Sequence, residues 1–213
     1  MTNLSKRIIT SVSITLILLI SLSSIYLISL LLLLLFYQLV YEFYLLMKKI
    51  FNKLKFFQFL FSLIFIIYIF LITIKIFLVF YNDNSQEKIF LFFLIIICIS
   101  TDIGGYIFGK FFKGKKLTRI SPNKTYNGVL GSFLIPIVIS MFFFHNFFDY
   151  KNIFITVCFV SLISQCGDLF ISFLKRKAKI KDTGNILPGH GGILDRLDGL
   201  IFAIPFGFII LNI

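Results

Sequence analysis

The sequence has no tryptophan, two histidines and few acids. Nine Asp and Glu stand against 21 Lys and Arg, for a formal net charge of +12. Acids this scarce stand out when they fall inside apolar stretches, where a charge is costly. Cysteine is nearly absent too. Cys98, Cys158 and Cys166 all lie in apolar segments, and an odd set of that kind excludes a disulfide framework. No Cys/His spacing suits zinc. There is no disordered linker, internal repeat or second domain to be read. What is abundant is hydrocarbon: 59% of residues are hydrophobic and 30 are phenylalanine. The long apolar runs exclude a soluble globular domain. The richness in Phe, Ile, Leu, Lys and Asn reads as a coding bias from an AT-rich genome. The positive charge does not point to nucleic acid, because the cations flank apolar segments as cytoplasmic loops of membrane proteins do. No small-residue cleavage site follows the first apolar run, so no cleavable signal peptide is expected.

Taken in order, the chain reads as about seven transmembrane helices, an all-α, polytopic integral membrane protein. Ile8 to Met47 is one apolar run of 40 residues. A single helix of that length would reach about 60 Å, twice the hydrocarbon core of roughly 30 Å. Ser21, Ser23 and Ser24 mark the turn that makes it two spans, an N-terminal hairpin within residues 1–55. Phe56 to Phe80 is the third span and residues 89–109 the fourth. Residues 128–147, 153–174 and Leu197 to Ile213 are the fifth, sixth and seventh. Of the 21 basic residues, all but Lys75, Lys88 and Lys151 then fall on one face, which the positive-inside tendency makes cytoplasmic. Lys75 is expected to snorkel outward. The whole of 1–213 reads as one membrane-embedded domain, with its chemistry in 89–213.

That chemistry concentrates between Ser161 and Asp198. Asp168 lies within an apolar helix, and Ser172 and Lys175 follow at i+4 and i+7 on the same face. Asp195 and Asp198, three apart, share one side of a helical turn. Between them and Lys175 come Arg176, Lys181, Asp182, His190 and the pair Gly191 and Gly192. Carboxylates, cations and a glycine turn are the parts needed to hold a divalent metal and phosphates. The topology sets Asp102, Asp168, Asp195 and Asp198 at cytoplasmic ends of spans. A structural alternative for Asp168 is an ion pair with Lys175 or Arg176; for Asp102 it is a helix-end carboxylate near Lys110.

Residues Ser172 to Asp198 carry the pattern S-x-x-K-R, four residues, K-D, then H-G-G-x-x-D-R-x-D. This resembles, without departure over 27 residues, the signature of the phosphatidate cytidylyltransferase family, integral membrane enzymes that make CDP-diacylglycerol from CTP and phosphatidic acid. A second segment, Thr101 to Gly128, resembles the family's T-D-[ST]-G-A-Y, G-[RK] and S-P-K-K-T-x-E-G. It keeps Thr101, Asp102, Gly104, Tyr106, Gly109, Ser121, Pro122, Lys124, Thr125 and Gly128, and departs at Ile103, Gly105, Asn123 and Asn127. Asn127 stands where an acid is frequent. The resemblance runs from Ile89 onward and includes the opening pair of spans; residues 47–88 are shorter than in typical members. Glu42-Phe43 resembles an acidic-aromatic pair of the family, and reads equally as an interfacial carboxylate balancing nearby lysines.

The resemblance implies cytidylyl transfer from CTP to phosphatidic acid at the cytoplasmic face of the inner membrane of a bacterium. It implies one or two Mg²⁺, with room for a monovalent cation, on Asp168, Asp195 and Asp198. Lys175, Arg176, Lys181, Asp182, His190 and Arg196 would serve catalysis. Asp102, Ser121, Lys124, Thr125, Ser172, Gly191 and Gly192 would bind substrate. A homodimer in the bilayer is expected. Competing readings are a lipid-alcohol kinase, an isoprenoid-lipid cytidylyltransferase, a reduced and inactive relative, and an ion-coupled transporter. Transporter carboxylates usually sit at mid-membrane, unlike these.

Overall fold

The structure, a computed structural model, describes residues 3–112, 114–118, 121, 124–188 and 191–210; the side chains of residues 3–8, 150 and 151 lie outside the description. Among the described residues it is helical, with seven helices: α1 Asn3–Ser21, α2 Ile25–Ile50, α3 Lys55–Tyr81, α4 Ser85–Phe111, α5 Tyr126–Phe144, α6 Tyr150–Lys177 and α7 Leu194–Ile210. They stand where the sequence predicts seven spans. The turn falls at the expected serines: α1 ends at Ser21, and Ser24 caps α2, its hydroxyl accepting the Leu27 amide at 3.3 Å. Among the described residues, five helices are long and apolar enough to cross a membrane: α2, α3, α4, α5 and residues Asn152–Lys177 of α6. The apolar part of α1, Ile9–Ser21, is shorter. So is α7, whose 17 residues rise about 25 Å.

The chain divides into two compact units. The first comprises Met1–Asn84 and Leu174–Leu197. Its centre is the packing of α2 on α3. The rings of Phe43 and Phe65 stack with centroids 3.8 Å apart, and Leu46 and Met47 are buried beside Glu42. Phe51, at the C-cap of α2, stacks on Phe61 and receives the Lys177 ammonium 5.5 Å from its ring centre. A cavity of about 550 Å³ is lined by Lys48, Asn52 and Lys55 and by the apolar Phe59, Leu63 and Ile66.

The second unit comprises Ser85–Phe173 and Asp198–Ile213. Its core is aromatic: Phe90 meets Phe93, Phe148 and Phe208, and Phe93 packs on Phe144. α4 and α5 cross at backbone contact. A Cβ on Gly104 would collide with the Gly131 carbonyl, and one on Gly131 with the Phe108 side chain. In lipid, where tails are as apolar as leucine, such small-residue seams allow the close packing that holds helices together. The seam also aligns the α4–α5 connection, whose ends pair as a short antiparallel hairpin. The Leu117 amide donates to the Lys124 carbonyl at 2.8 Å, and the Tyr126 amide to the Lys115 carbonyl at 3.1 Å.

Candidate active site

In the first unit the signature segment is built from the end of α6. That helix ends at Lys177, and Lys179 in the turn beyond it has φ +56°. The Ile180 amide closes back on the Lys175 carbonyl at 3.0 Å, a left-handed C-terminal cap that turns the chain off the helix axis. Beyond it, Leu187 and Gly191 exchange two backbone hydrogen bonds, at 3.0 and 3.1 Å. Gly191 has φ +85°, a conformation open to glycine and strained for residues with a Cβ. The chain is thereby returned to the start of α7.

Asp195, in the first turn of α7, gathers this segment. One oxygen accepts the Lys175 ammonium at 2.7 Å. The other accepts the Thr183 amide at 2.8 Å and the Gly192 amide at 3.0 Å, and lies 3.0 Å from the Thr183 hydroxyl. Burial alone would push the Asp195 carboxyl up; the Lys175 ammonium and the two amides outweigh it and hold the group below its ordinary value of 3.8. Lys175 and Asp195 are largely buried, so removing one partner leaves a desolvated charge at a cost of about 3–5 kcal/mol. A carboxyl lowered on folding stabilises the folded state fully above its ordinary value. That share is lost as pH falls from 3.8 through the folded value. Thermal unfolding in detergent should therefore show a loss of stability below pH 3.8, and Asp195→Asn should flatten it.

Glu42 approaches the same segment from α2. It is 1% exposed and, among the described residues, accepts four hydrogen bonds. The donors are the Gln38 side-chain amide at 2.8 Å, the Thr183 hydroxyl at 2.7 Å, and the Ile193 and Leu194 amides at 3.0 and 2.9 Å. These amides open α7, where a helix leaves its first N–H groups without helical partners. The reading of Glu42 as an interfacial counter-ion for nearby lysines is thus replaced by a buried cap. Thr183 escaped the sequence reading because nothing local marks it. The available signal for Glu42 was its position, an acid inside a 26-residue apolar helix.

In the second unit, Asp168 pairs with Lys124, and Ser172 donates to Asp168 at 3.4 Å. The lysine on Asp168 is therefore one from the α4–α5 connection; Lys175, a partner the sequence pointed to, is committed to Asp195. Both members of the Lys124–Asp168 pair are about a quarter exposed, so the pair contributes on the order of 1 kcal/mol at most. Its worth as a structural brace is small, and its ammonium remains open to an incoming anion. Thr125 caps α5 by accepting the Gly128 amide at 3.1 Å, and the Ser121 carbonyl accepts the Lys124 amide at 3.1 Å. These two contacts fix the backbone that carries Lys124. Asn127 donates to the Phe112 carbonyl at 3.2 Å, tying α5 to the end of α4. Asp198 is buried and accepts the Gly199 amide at 2.9 Å, while Asp102 is exposed on α4.

Of the other candidates, Arg176, Lys181, Asp182 and Arg196 are exposed, and Gly191 and Gly192 lie against Asp182, Glu42 and Asp195. His190 lies outside the described residues. Among the described residues, no three His, Cys, Asp or Glu side chains converge on one metal position. The donor chemistry still suits Mg²⁺, a hard cation usually held by one or two carboxylates together with substrate phosphates rather than by an all-protein cage.

A family model described as the cytidylyltransferase family matches residues 2–213. The phosphatidate cytidylyltransferase of Rickettsia felis is 45% identical over 139 residues, covering 61% of this chain and 60% of that protein. That of Rickettsia typhi is 42% identical over 137 residues, with 59% and 60% covered. That of Bacillus subtilis is 40% identical over 134 residues, with 61% and 50% covered. The chain spans roughly half to three fifths of the length of these curated relatives. With nearly every residue inside the family match, the chain belongs to the cytidylyltransferase family.

Proposed function

We propose that the chain is a multi-pass enzyme of a bacterial inner membrane that transfers the cytidylyl group of CTP to phosphatidic acid, giving CDP-diacylglycerol and pyrophosphate. The observation that carries this reading is the signature segment itself. Lys175, Asp195, Thr183 and Gly192 form one hydrogen-bonded cluster from residues spread over the S-x-x-K-R…D-R-x-D pattern.

Both substrates are anions. An oxygen of the phosphatidate phosphate forms a bond to the α-phosphorus of CTP, and the bond from that phosphorus to the β-bridging oxygen breaks. Pyrophosphate leaves with the electron pair. No general base is required, because a phosphate monoester is already ionised near pH 7. What the site must supply is an offset to negative charge that is in place before reaction. Lys124, with its exposed face, and Lys175, Arg176, Lys181 and Arg196 are the cations for the phosphates. Ser121, Thr125, Ser172, Asp102 and Asp182 position them, and the backbone at Gly191 and Gly192 allows close approach, with His190 as a hydrogen-bond donor. Asp168, Asp195 and Asp198 would hold one or two Mg²⁺, which supplies charge neutralisation on the phosphates and the leaving pyrophosphate. The cavity beside Lys48 and Lys55 joins ammonium groups to apolar walls, a lining suited to an acidic lipid head and its chains. The enzyme would work as a homodimer.

Membranes containing the chain, given labelled CTP, phosphatidic acid and Mg²⁺, should form labelled CDP-diacylglycerol. CTP or dCTP should serve, and ATP should not phosphorylate lipid. ATP-dependent phosphorylation of a lipid alcohol, without cytidylyl transfer, would establish the kinase alternative instead. Cysteine labelling should place residues 48–55, 110–126 and 175–196 in the cytoplasm and 81–88 outside. Labelling 110–126 and 175–196 from opposite faces would defeat a single catalytic site.

A further inference from the structure

We infer that Glu42 is a positioning residue, through which α2 holds the signature segment in its working geometry. The inference rests on the proposed transferase reading for its catalytic consequence, but not for its structural one. Glu42 sits far from its partners in sequence: the bond to Thr183 joins residues 141 apart, and those to Ile193 and Leu194 span 151 and 152. Its four bonds among the described residues are all accepted, two at each oxygen. Three come from the signature segment and only one, from Gln38, from its own helix. A carboxylate that served α2 alone would not be aimed this way.

The surrounding glycines are shaped to it. A Cβ on Gly184 would stand 2.8 Å from one Glu42 oxygen, and one on Gly192 would collide with the other and with the Thr183 hydroxyl. Thr183 then links two acids, with Glu42 on one side of its hydroxyl and Asp195 on the other. Asp195 in turn fixes Lys175. Glu42 therefore sets the register of Thr183 and the first turn of α7, and those set the carboxylate and ammonium proposed to meet phosphate. It touches neither substrate; it acts through Thr183 and Asp195.

The test uses the full chain in detergent or nanodiscs, with Glu42→Ala and Glu42→Gln. Glutamine keeps shape and one acceptor oxygen, but its NH₂ cannot accept from Thr183 or from an amide. Amide hydrogen exchange should accelerate across residues 181–194 in both variants, by about tenfold or more in Glu42→Ala and by less in Glu42→Gln, with α4 and α5 unchanged. Under the same conditions kcat should fall in the order wild type, Gln, Ala, while KM for CTP changes little. Unchanged exchange over 181–194 in Glu42→Ala overturns the inference. So does exchange that rises equally throughout the chain, or loss of folded protein in both variants, since Glu42 would then be a general determinant of the fold. So does local loosening with kcat intact. If wild-type protein transfers no cytidylyl group, the proposed function fails, while local loosening in the variants still shows that Glu42 positions the segment.

Discussion

Asp195→Asn and Asp198→Asn should each reduce cytidylyl transfer by about 10³-fold or more, in protein that still inserts and remains helical. Asparagine keeps the volume and removes one charge, so packing around either site changes little. At Asp195 the loss falls on several groups together. The Lys175 ammonium loses its counter-charge, and the Thr183 and Gly192 amides lose a charged acceptor for a neutral one. A metal ligand and a structural acid are separated by titrating Mg²⁺. A ligand variant should need more Mg²⁺ or be inactive at any concentration. A purely structural acid should lower thermal stability and leave the Mg²⁺ requirement of the surviving protein unchanged. Near-wild-type turnover in both variants at an unchanged Mg²⁺ requirement would rule out the proposed metal site.

Lys124→Met and Asp168→Asn are expected to cost about 10²- to 10³-fold each in kcat/KM. The ion pair itself is too exposed to account for a loss of that size, because an exposed pair contributes on the order of 1 kcal/mol or less. Combining the substitutions discriminates between roles. If Lys124 and Asp168 serve only each other, the double variant should be no worse than the worse single one. If Lys124 meets nucleotide phosphate while Asp168 meets metal, the losses should combine toward their product. A double variant restored to near-wild-type activity would reduce both residues to a dispensable surface pair.

The helices were legible in the sequence because apolar length is a local signal that bilayer thickness calibrates. The division of Ile8 to Met47 followed from its length, and the serines Ser21, Ser23 and Ser24 placed the turn. Helix ends were less legible. α4 begins at Ser85 and α6 reaches Lys177, past the apolar windows 89–109 and 153–174, because helical hydrogen bonding continues into polar flanks. The signature residues were legible as a spacing, but their partners were not. Helical periodicity put Asp168 and Lys175 on one face, whereas Asp168 pairs with Lys124 and Lys175 with Asp195. Periodicity reports neighbours along one helix and carries nothing about a loop 44 residues upstream (124 to 168). Glu42 is the extreme case. With Phe43 it resembled an acidic-aromatic pair of the family or read as an interfacial carboxylate, yet no property of α2 names Thr183 or the amides of Ile193 and Leu194 as its donors.

The span between Glu42 and its donors also bears on how the chain is made. Synthesis runs from the N-terminus, so α2 is complete while the residues that satisfy its acid have yet to be translated. Closing contacts separated by 141 to 152 residues is among the slowest steps available to a chain of this size, since loop closure must precede the gain. The bonds from Thr183, Ile193 and Leu194 can therefore form only after α2 is made, and until then Gln38 of its own helix is the described donor Glu42 has.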